Sequence, residues 1–366
     1  MLQTQFRPIT ANGSIMRLAP YSPGDFLSPT PMQTLFSSRL TICIPVWERY
    51  DYFENAVRSV LRQTMLCQLL VIDNASSHDR FKDFCWTHHI QYFRNSTNVG
   101  LYGNWNRCVQ EARTKYVMIL SDDDELHPIF VQEFEAKASE IDIDFYFTNI
   151  TYRTDEGDHE WPMPAIFGEM DGTEVQKYAL NKGLGIPSVS GVYRRHMLVE
   201  EPWMESPSGS NDWLWLYSKF GEMRVFGNRE RLYIYRKHSN ADSVLRFDYI
   251  YYLNYPAIYL AIGKALDTGC SLANAQLIAT KRAEKMLKDY FTSRGPSAWK
   301  ALHEMKWDDP YRVAIYEVLR RKSFWVRCAT TRAFYSIMIS NVFVLGKFAF
   351  LKRGAGSLLR KLCGKG

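Results

Sequence analysis

The sequence predicts an α/β fold: a doubly wound, mainly parallel sheet followed by a C-terminal α-helical extension. Between residues 40 and 124, short apolar runs alternate with segments whose apolar residues recur at helical spacing, giving β-α-β-α-β-α-β. The runs end repeatedly on Pro or Asp, at the strand ends where open α/β sheets bind ligands. From about Tyr249 the apolar spacing is helical throughout, over 249–266, 272–292, 297–305 and 311–322.

Residues 1–38 hold prolines and small polar residues with little periodicity, and read as a loosely ordered leader with no signal-peptide core. Leu40–Ile44 is a strand halted by Pro45, and Phe53, Ala56, Val57, Val60 and Leu61 form one face of the helix that follows. Gln68–Ile72 is the next strand, closing on Asp73. A helix around Asp79–His88, a strand Ile90–Phe93 and the turn residues Asn95–Gly100 come next. Trp105, Cys108, Val109 and Ala112 mark a third helical face ahead of the strand Tyr116–Leu120. Asp142–Tyr152 reads as a strand with a hairpin turn at Asp155–Gly157, and Gly183–Gly191 as a flexible loop leading into Val192–Arg195. Asn211–Tyr217 opens a helix that Ser210 or Asn211 can cap. Arg224–Phe226 and Arg231–Tyr235 read as two short strands. The expected boundaries are 39–244 for the sheet domain, 245–325 for a separate helical unit and 326–366 for a basic amphipathic tail.

Apolar residues at 46% and charged residues at 23% suit a globular chain with a sizeable core. A net charge of +6 suits an anionic ligand or membrane surface, but no dense Lys/Arg patch with interleaved aromatics argues for nucleic acid. The seven cysteines are scattered and form no Cys-x-x-Cys pair, which fits reduced thiols in the cytoplasm. Cys85, His88 and His89 lack a fourth ligand at finger spacing, so an exposed helix is a better reading than zinc. Ala333–Gly346 is apolar but shorter than the roughly 20 residues a bilayer span needs. Flanked by Arg327, Arg332, Lys347, Lys352 and Arg353, it suits a helix lying on the inner face of an anionic membrane. The other reading is a helix docked on the helical unit.

The strand Tyr116–Leu120 stops on Ser121 and three consecutive carboxylates, Asp122, Asp123 and Asp124. Adjacent negative charges repel, and a hard divalent cation such as Mg2+ or Mn2+ rewards holding them together because it takes oxygen ligands and bridges to phosphates. The alternative is an acidic turn that starts the next helix, with Pro128 in its first turn.

Five segments carry a family resemblance. Thr41–Arg49 (Thr-Ile-Cys-Ile-Pro-Val-Trp-Glu-Arg), Ser59–Thr64, Val71–Ser76, Asn98–Gly100 and Leu120–Asp124 stand in an order that resembles the nucleotide-binding half of family 2 glycosyltransferases, which have the GT-A fold. The resemblance runs more loosely to His238, and the leader and C-terminal helices lie outside it. It implies a nucleotide site at Pro45, Val46, Glu48, Asp73, Asn98, Gly100 and Asp122, with Asp73 on the base. A carboxylate suits an imide N–H because it only accepts hydrogen bonds. A helix N-cap or an Asx-turn is the structural alternative for Asp73. Asp123 falls on the family's metal-binding Asp, and Asp124 and His238 on further metal positions for Mn2+ or Mg2+. Ser121 departs from the family's first Asp, which leaves the division of labour between Asp122 and Asp124 open. Asp212 falls on the family's catalytic base, with Asn211 replacing the usual Glu; stabilisation of the helix N-terminus is the alternative role. Arg194, Arg236 and Trp213 are weaker candidates for acceptor or phosphate contacts.

The resemblance thus implies a metal-dependent, inverting transfer of sugar from a nucleoside-diphosphate sugar, UDP- or dTDP-linked, to an acceptor hydroxyl. The basic tail suggests a lipid-linked glycan acceptor in surface polysaccharide assembly, and a cytoplasmic protein peripheral to the membrane. A dehydrogenase is disfavoured because Pro-Val-Trp-Glu replaces a Gly-x-Gly-x-x-Gly turn after the first strand. A nucleotidyltransferase is disfavoured by the lack of a Gly-rich phosphate loop there. A non-catalytic glycan-binding or scaffolding relative is the alternative that the Ser121 and Asn211 departures leave open.

Overall fold

The computed structural model describes residues 35–160, 166–204, 210–238, 254–268, 274–295 and 310–321, with positions 297, 298, 302 and 324. The expected tail 326–366, the leader up to residue 34 and most of the helix expected over 297–305 lie outside the described residues.

Four strands set the frame. β1 (Leu35–Val46), β2 (Met65–Asp73), β3 (Gln91–Arg94) and β4 (Tyr116–Ile119) are parallel in the order β3-β2-β1-β4. Their crossovers are α1 (Phe53–Leu61), α2 (Arg80–Thr87) and α3 (Leu101–Glu111). The order reverses between β1 and β4, and a crevice at such a switch point is where open α/β sheets bind ligands. The predicted alternation is therefore present, with its boundaries moved. β1 begins at Leu35, inside the stretch expected as leader, and runs through Pro45 instead of halting there. The carbonyl of Cys43 points at β4 and accepts from Leu120 N at 2.9 Å. Pro45, two residues on, faces the same side just beyond the end of β4, so its missing N–H costs the sheet no hydrogen bond.

The remaining strands extend the sheet past β4 in the order β9-β6-β10-β5, with β7 on β6 and β8 on β10. They are β5 (Glu125–Leu126), β6 (Phe145–Thr154), β7 (Gly157–Glu160), β8 (Gly168–Asp171), β9 (Val192–Arg194) and β10 (Arg224–Arg236). β9 is antiparallel to both β4 and β6, which makes the sheet mixed. The two short strands expected over 224–235 are one strand, β10, with a register shift between Asn228 and Arg231. A bulge there absorbs the polar stretch without breaking the pairing with β6.

Side-chain alternation divides the core in two. Leu40, Ile42, Ile44 and Val46 of β1 pack with α1, α2 and α4 (Phe130–Glu140) on one face. Cys43, Ile72 and Ile119 face α3, α5 (Gly172–Lys182) and α7 (Asn211–Lys219) on the other. α6 (Arg195–Glu200) follows β9. The C-terminal helices α8 (Tyr255–Thr268), α9 (Ala275–Arg294) and α10 (Pro310–Leu319) join this second face. Ile258, Ile262 and Leu266 of α8 share one apolar cluster with Ala179, Leu216 and Tyr217. The helices expected as a separate unit are thus continuous with the sheet domain's core.

Candidate active site

Three chain segments meet beyond the carboxyl end of β4: the loop after β1, the acid triplet and the end of β10. The antiparallel pairing of Tyr233 with Leu126 and of Ile234 with Glu125 delivers Arg236 and His238 to the triplet. The three adjacent carboxylates then part company, because successive residues of a turn point in different directions.

Asp122 is 9% exposed and pairs with the guanidinium of Arg49. Burial pushes its carboxyl up to about 7, against the pull of Arg49. Asp123 presents Oδ2 to two groups, Arg49 Nη2 at 2.9 Å and His238 Nε2 at 3.0 Å. Arg49 Nη1 lies 3.3 Å from the same His238 nitrogen. Tyr52 backs the cluster, its ring centroid 4.9 Å from that of His238 and 4.8 Å from the Arg236 guanidinium carbon. Arg236 donates through Nε to the Asp123 carbonyl at 3.1 Å and pairs with Glu125, which Arg153 also holds at 3.0 Å.

Asp124 turns the other way, which corrects the expectation of a second carboxylate ligand there. At 1% exposure it accepts from the Tyr233 hydroxyl at 2.6 Å and from the Arg236 amide at 2.8 Å. Burial holds its carboxyl well above the ordinary range. It anchors β10 to the end of β4. Among the described residues no group of three His, Cys, Asp or Glu side chains forms a ready-made metal cage. Asp123 with His238 nonetheless fits a divalent cation, since a carboxylate oxygen and an imidazole nitrogen already face each other around a positive group.

The nucleotide residues expected around β1 and β2 form a hydrogen-bonded rim. Val46 accepts from Asn74 N at 2.9 Å, beside a half-buried Pro45. Glu48 has φ 57° and grips Ser77 through both carboxylate oxygens, at 2.8 Å each. Asn98 accepts from Asn74 Nδ2 and from Gly100 N, both at 2.9 Å. Gly100 has φ 83°, a conformation that suits glycine, and starts α3. Asp73 departs from expectation. It is fully buried, and its oxygens accept from Ser76 N at 2.8 Å, Ser76 Oγ at 2.6 Å and the Tyr92 hydroxyl at 2.7 Å, with Arg94 Nε 3.3 Å away. These bonds run to the backbone three residues on and across to β3, so Asp73 shapes the loop with both oxygens engaged inside the protein.

Asp212 opens α7 and is 5% exposed. Tyr102, in the first turn of α3, donates to its Oδ1 at 2.9 Å and accepts from Asn211 N at 2.8 Å. Ser188 donates to Oδ2. The Ser188 loop is itself fixed to α7, as Gly185 N and Ile186 N donate to the Tyr217 hydroxyl at 3.0 and 2.9 Å. Burial raises the Asp212 pKa, while the Ser188 and Tyr102 hydrogen bonds pull it down. Because α3 starts at the carboxyl edge of the parallel strands, Tyr102 ties Asp212 to the edge that carries Asp122 and Asp123.

Two weaker candidates lie elsewhere. Arg194 pairs in register with Tyr116, at the amino end of β4, and forms ion pairs with Asp142 and Asp144 at 2.6 Å each. It is therefore at the wrong end of the sheet for a phosphate or acceptor. Trp213 stacks between Tyr217 and Tyr255, with centroids 5.8 and 5.5 Å away, and seats α7 on α8 instead of standing as a sugar platform. Residues not anticipated are Arg49, Tyr102, Ser188, Tyr233 and Asn74. Only Arg49 and Asn74 fall inside segments whose motifs pointed to them.

Residues 41–201 match the family model described as Glycosyl transferase family 2. An uncharacterized glycosyltransferase of Escherichia coli (strain K12), YibD, is 25% identical over 244 residues, covering 63% of this chain and 71% of its own. An uncharacterized protein of Mycobacterium tuberculosis is 26% identical over 145 residues, 38% of this chain and 44% of that one. Among solved structures, S. aureus TarS 1-349 in complex with UDP-GlcNAc superposes with a TM-score of 0.55 at 13% identity, covering 85% of this chain and 93% of that one. The last likeness is one of fold.

The division between Asp123 and Asp124 has a measurable consequence. Asp124→Ala strands the Tyr233 hydroxyl and the Arg236 amide in the interior and should cost about 1–3 kcal/mol of unfolding free energy. Asp123→Ala should cost less, because its partner Arg49 is 27% exposed and keeps Asp122 as an ion-pair partner. Urea unfolding of the two variants makes the comparison, and equal losses would contradict the division.

Proposed function

With a family 2 glycosyltransferase domain over residues 41–201, the chain is a glycosyltransferase of GT-A fold, and we propose that it moves a sugar from a nucleoside-diphosphate sugar to an acceptor hydroxyl with inversion. The observation that carries this reading is the pairing of Asp123 with His238 at the β1–β4 switch point, on the sheet edge to which Tyr102 also ties Asp212. A UDP- or dTDP-linked donor is supported by the UDP-GlcNAc bound to the TarS relative in fold.

In this reading the rim from Val46 to Gly100 shapes the nucleotide pocket, and Asp122 faces the donor. Asp123 and His238 would hold Mn2+ or Mg2+. A bound divalent cation would neutralise charge on the departing diphosphate. Arg236 adds a fixed positive charge beside that position. Asp212 accepts the proton of the acceptor hydroxyl as its oxygen attacks the anomeric carbon and the bond to diphosphate breaks. Burial raises the affinity of Asp212 for that proton, and Tyr102 keeps the carboxylate oriented. A lipid-linked glycan acceptor in surface polysaccharide assembly, at the inner membrane face, is supported by the basic amphipathic sequence of 326–366. Among the described residues no helix is long and apolar enough to cross a membrane.

Thermal-shift titrations with UDP and dTDP, each with and without Mn2+, should raise the melting temperature, and Asp123→Ala should lose the metal-dependent part. Absence of stabilisation by any nucleoside diphosphate would overturn the donor assignment. Tyr102→Phe removes a hydrogen bond that favours ionised Asp212, so the acid limb of the pH–rate profile, followed as nucleoside diphosphate release, should move to higher pH. An unmoved limb would argue against Asp212 as the base. Anionic liposomes should float the full chain but not one lacking 327–366; equal flotation would dispose of the membrane contact.

A further inference from the structure

Arg49 is the positive group between the two acids, and the family reading assigns it no task. One nitrogen, Nη2, contacts both Asp122 and Asp123, while Nη1 lies 3.3 Å from His238 Nε2. The guanidinium is thus in contact with each of Asp122, Asp123 and His238. Its backbone is pinned. Arg49 N donates to Trp47 O at 2.6 Å, and the preceding Glu48 is held by Ser76, Ser77 and His78. The side chain is less constrained. It remains 27% exposed, and its buried Nε has no hydrogen-bond partner. A planar fork of this kind recognises phosphate as readily as carboxylate.

A guanidinium and a divalent cation compete for the same carboxylate oxygen, because like charges at that separation repel. We propose that Arg49 is a tethered counter-cation: in the free protein it occupies the cation position between Asp122 and Asp123, and it exchanges those carboxylates for the oxygens of the nucleoside diphosphate when metal and donor enter. Metal binding is then conditional on the nucleotide. Without a diphosphate to receive Arg49, displacement breaks its ion pairs with Asp122 and Asp123 and puts nothing in their place; with one, every charge finds a partner. The inference rests on the metal-dependent reading proposed above and goes beyond it by ordering metal and donor.

Mn2+ binding, read from the free-ion EPR signal, and UDP binding, read by calorimetry, test it on the full chain. Arg49→Met and Arg49→Gln both remove the charge, and the second retains hydrogen bonds that help hold the loop. Both should bind Mn2+ alone about ten-fold more tightly than the wild type, and UDP with Mn2+ about ten-fold more weakly, the factor carried by one charge-assisted hydrogen bond. Arg49→Lys keeps the charge and should keep the wild-type order, with UDP needed for tight Mn2+ binding. Opposite changes in the two affinities are not produced by loosening of the loop, which weakens both. If the neutral variants bind Mn2+ alone no better than the wild type, or bind UDP equally well, the exchange is overturned while the metal site stands. If no variant binds Mn2+ even with UDP, the metal reading itself falls and takes the exchange with it.

Discussion

Three carboxylates follow one another at the end of β4, and no fold can leave them facing one another without countercharge. The structure separates them. Asp124 goes inward to a tyrosine hydroxyl and a backbone amide, and Asp122 and Asp123 go outward to Arg49 and His238. Much of the site's architecture depends on this separation. The inward acid fastens β10 to the end of β4, and β10 in turn carries Arg236 and His238 to the outward pair. Structural and chemical duties thus fall on neighbouring residues of the same type.

The second carboxylate centre is built by helices. α3 begins at the carboxyl edge of β3, and its Tyr102 reaches Asp212 at the start of α7. α7 is held against α8 by the stacked rings of Trp213, Tyr217 and Tyr255, and Tyr217 also fixes the loop that bears Ser188. The helices after the sheet domain therefore support the candidate base directly. They share its core and are not an appended unit.

The fold was largely legible because its signals are local. Apolar periodicity located β1 to β4 and their crossovers, and only strand ends moved, as at Pro45, where the fate of a missing N–H depends on whether a neighbouring strand extends that far. The site was legible as a set of segments and less so as a set of contacts. Asp73 and Asp124 look in sequence like their functional neighbours, yet both are buried and fully engaged in holding loops and strands. Arg194 sits at the end of a strand, β9, that runs antiparallel to β4, which sends it to the far end of the sheet.

The sequence by itself determined the alternating α/β order, the segments that resemble family 2 glycosyltransferases and the acid triplet, because these depend on residue types at short, fixed spacings. Tertiary structure alone decided which acid turns inward to β10, which partner tunes each carboxylate and where Arg49 points. Those outcomes depend on contacts between residues far apart in the chain, such as Arg49 with His238 and Tyr102 with Asp212. No local pattern records them, because each partner is supplied by an element whose position is set by packing elsewhere.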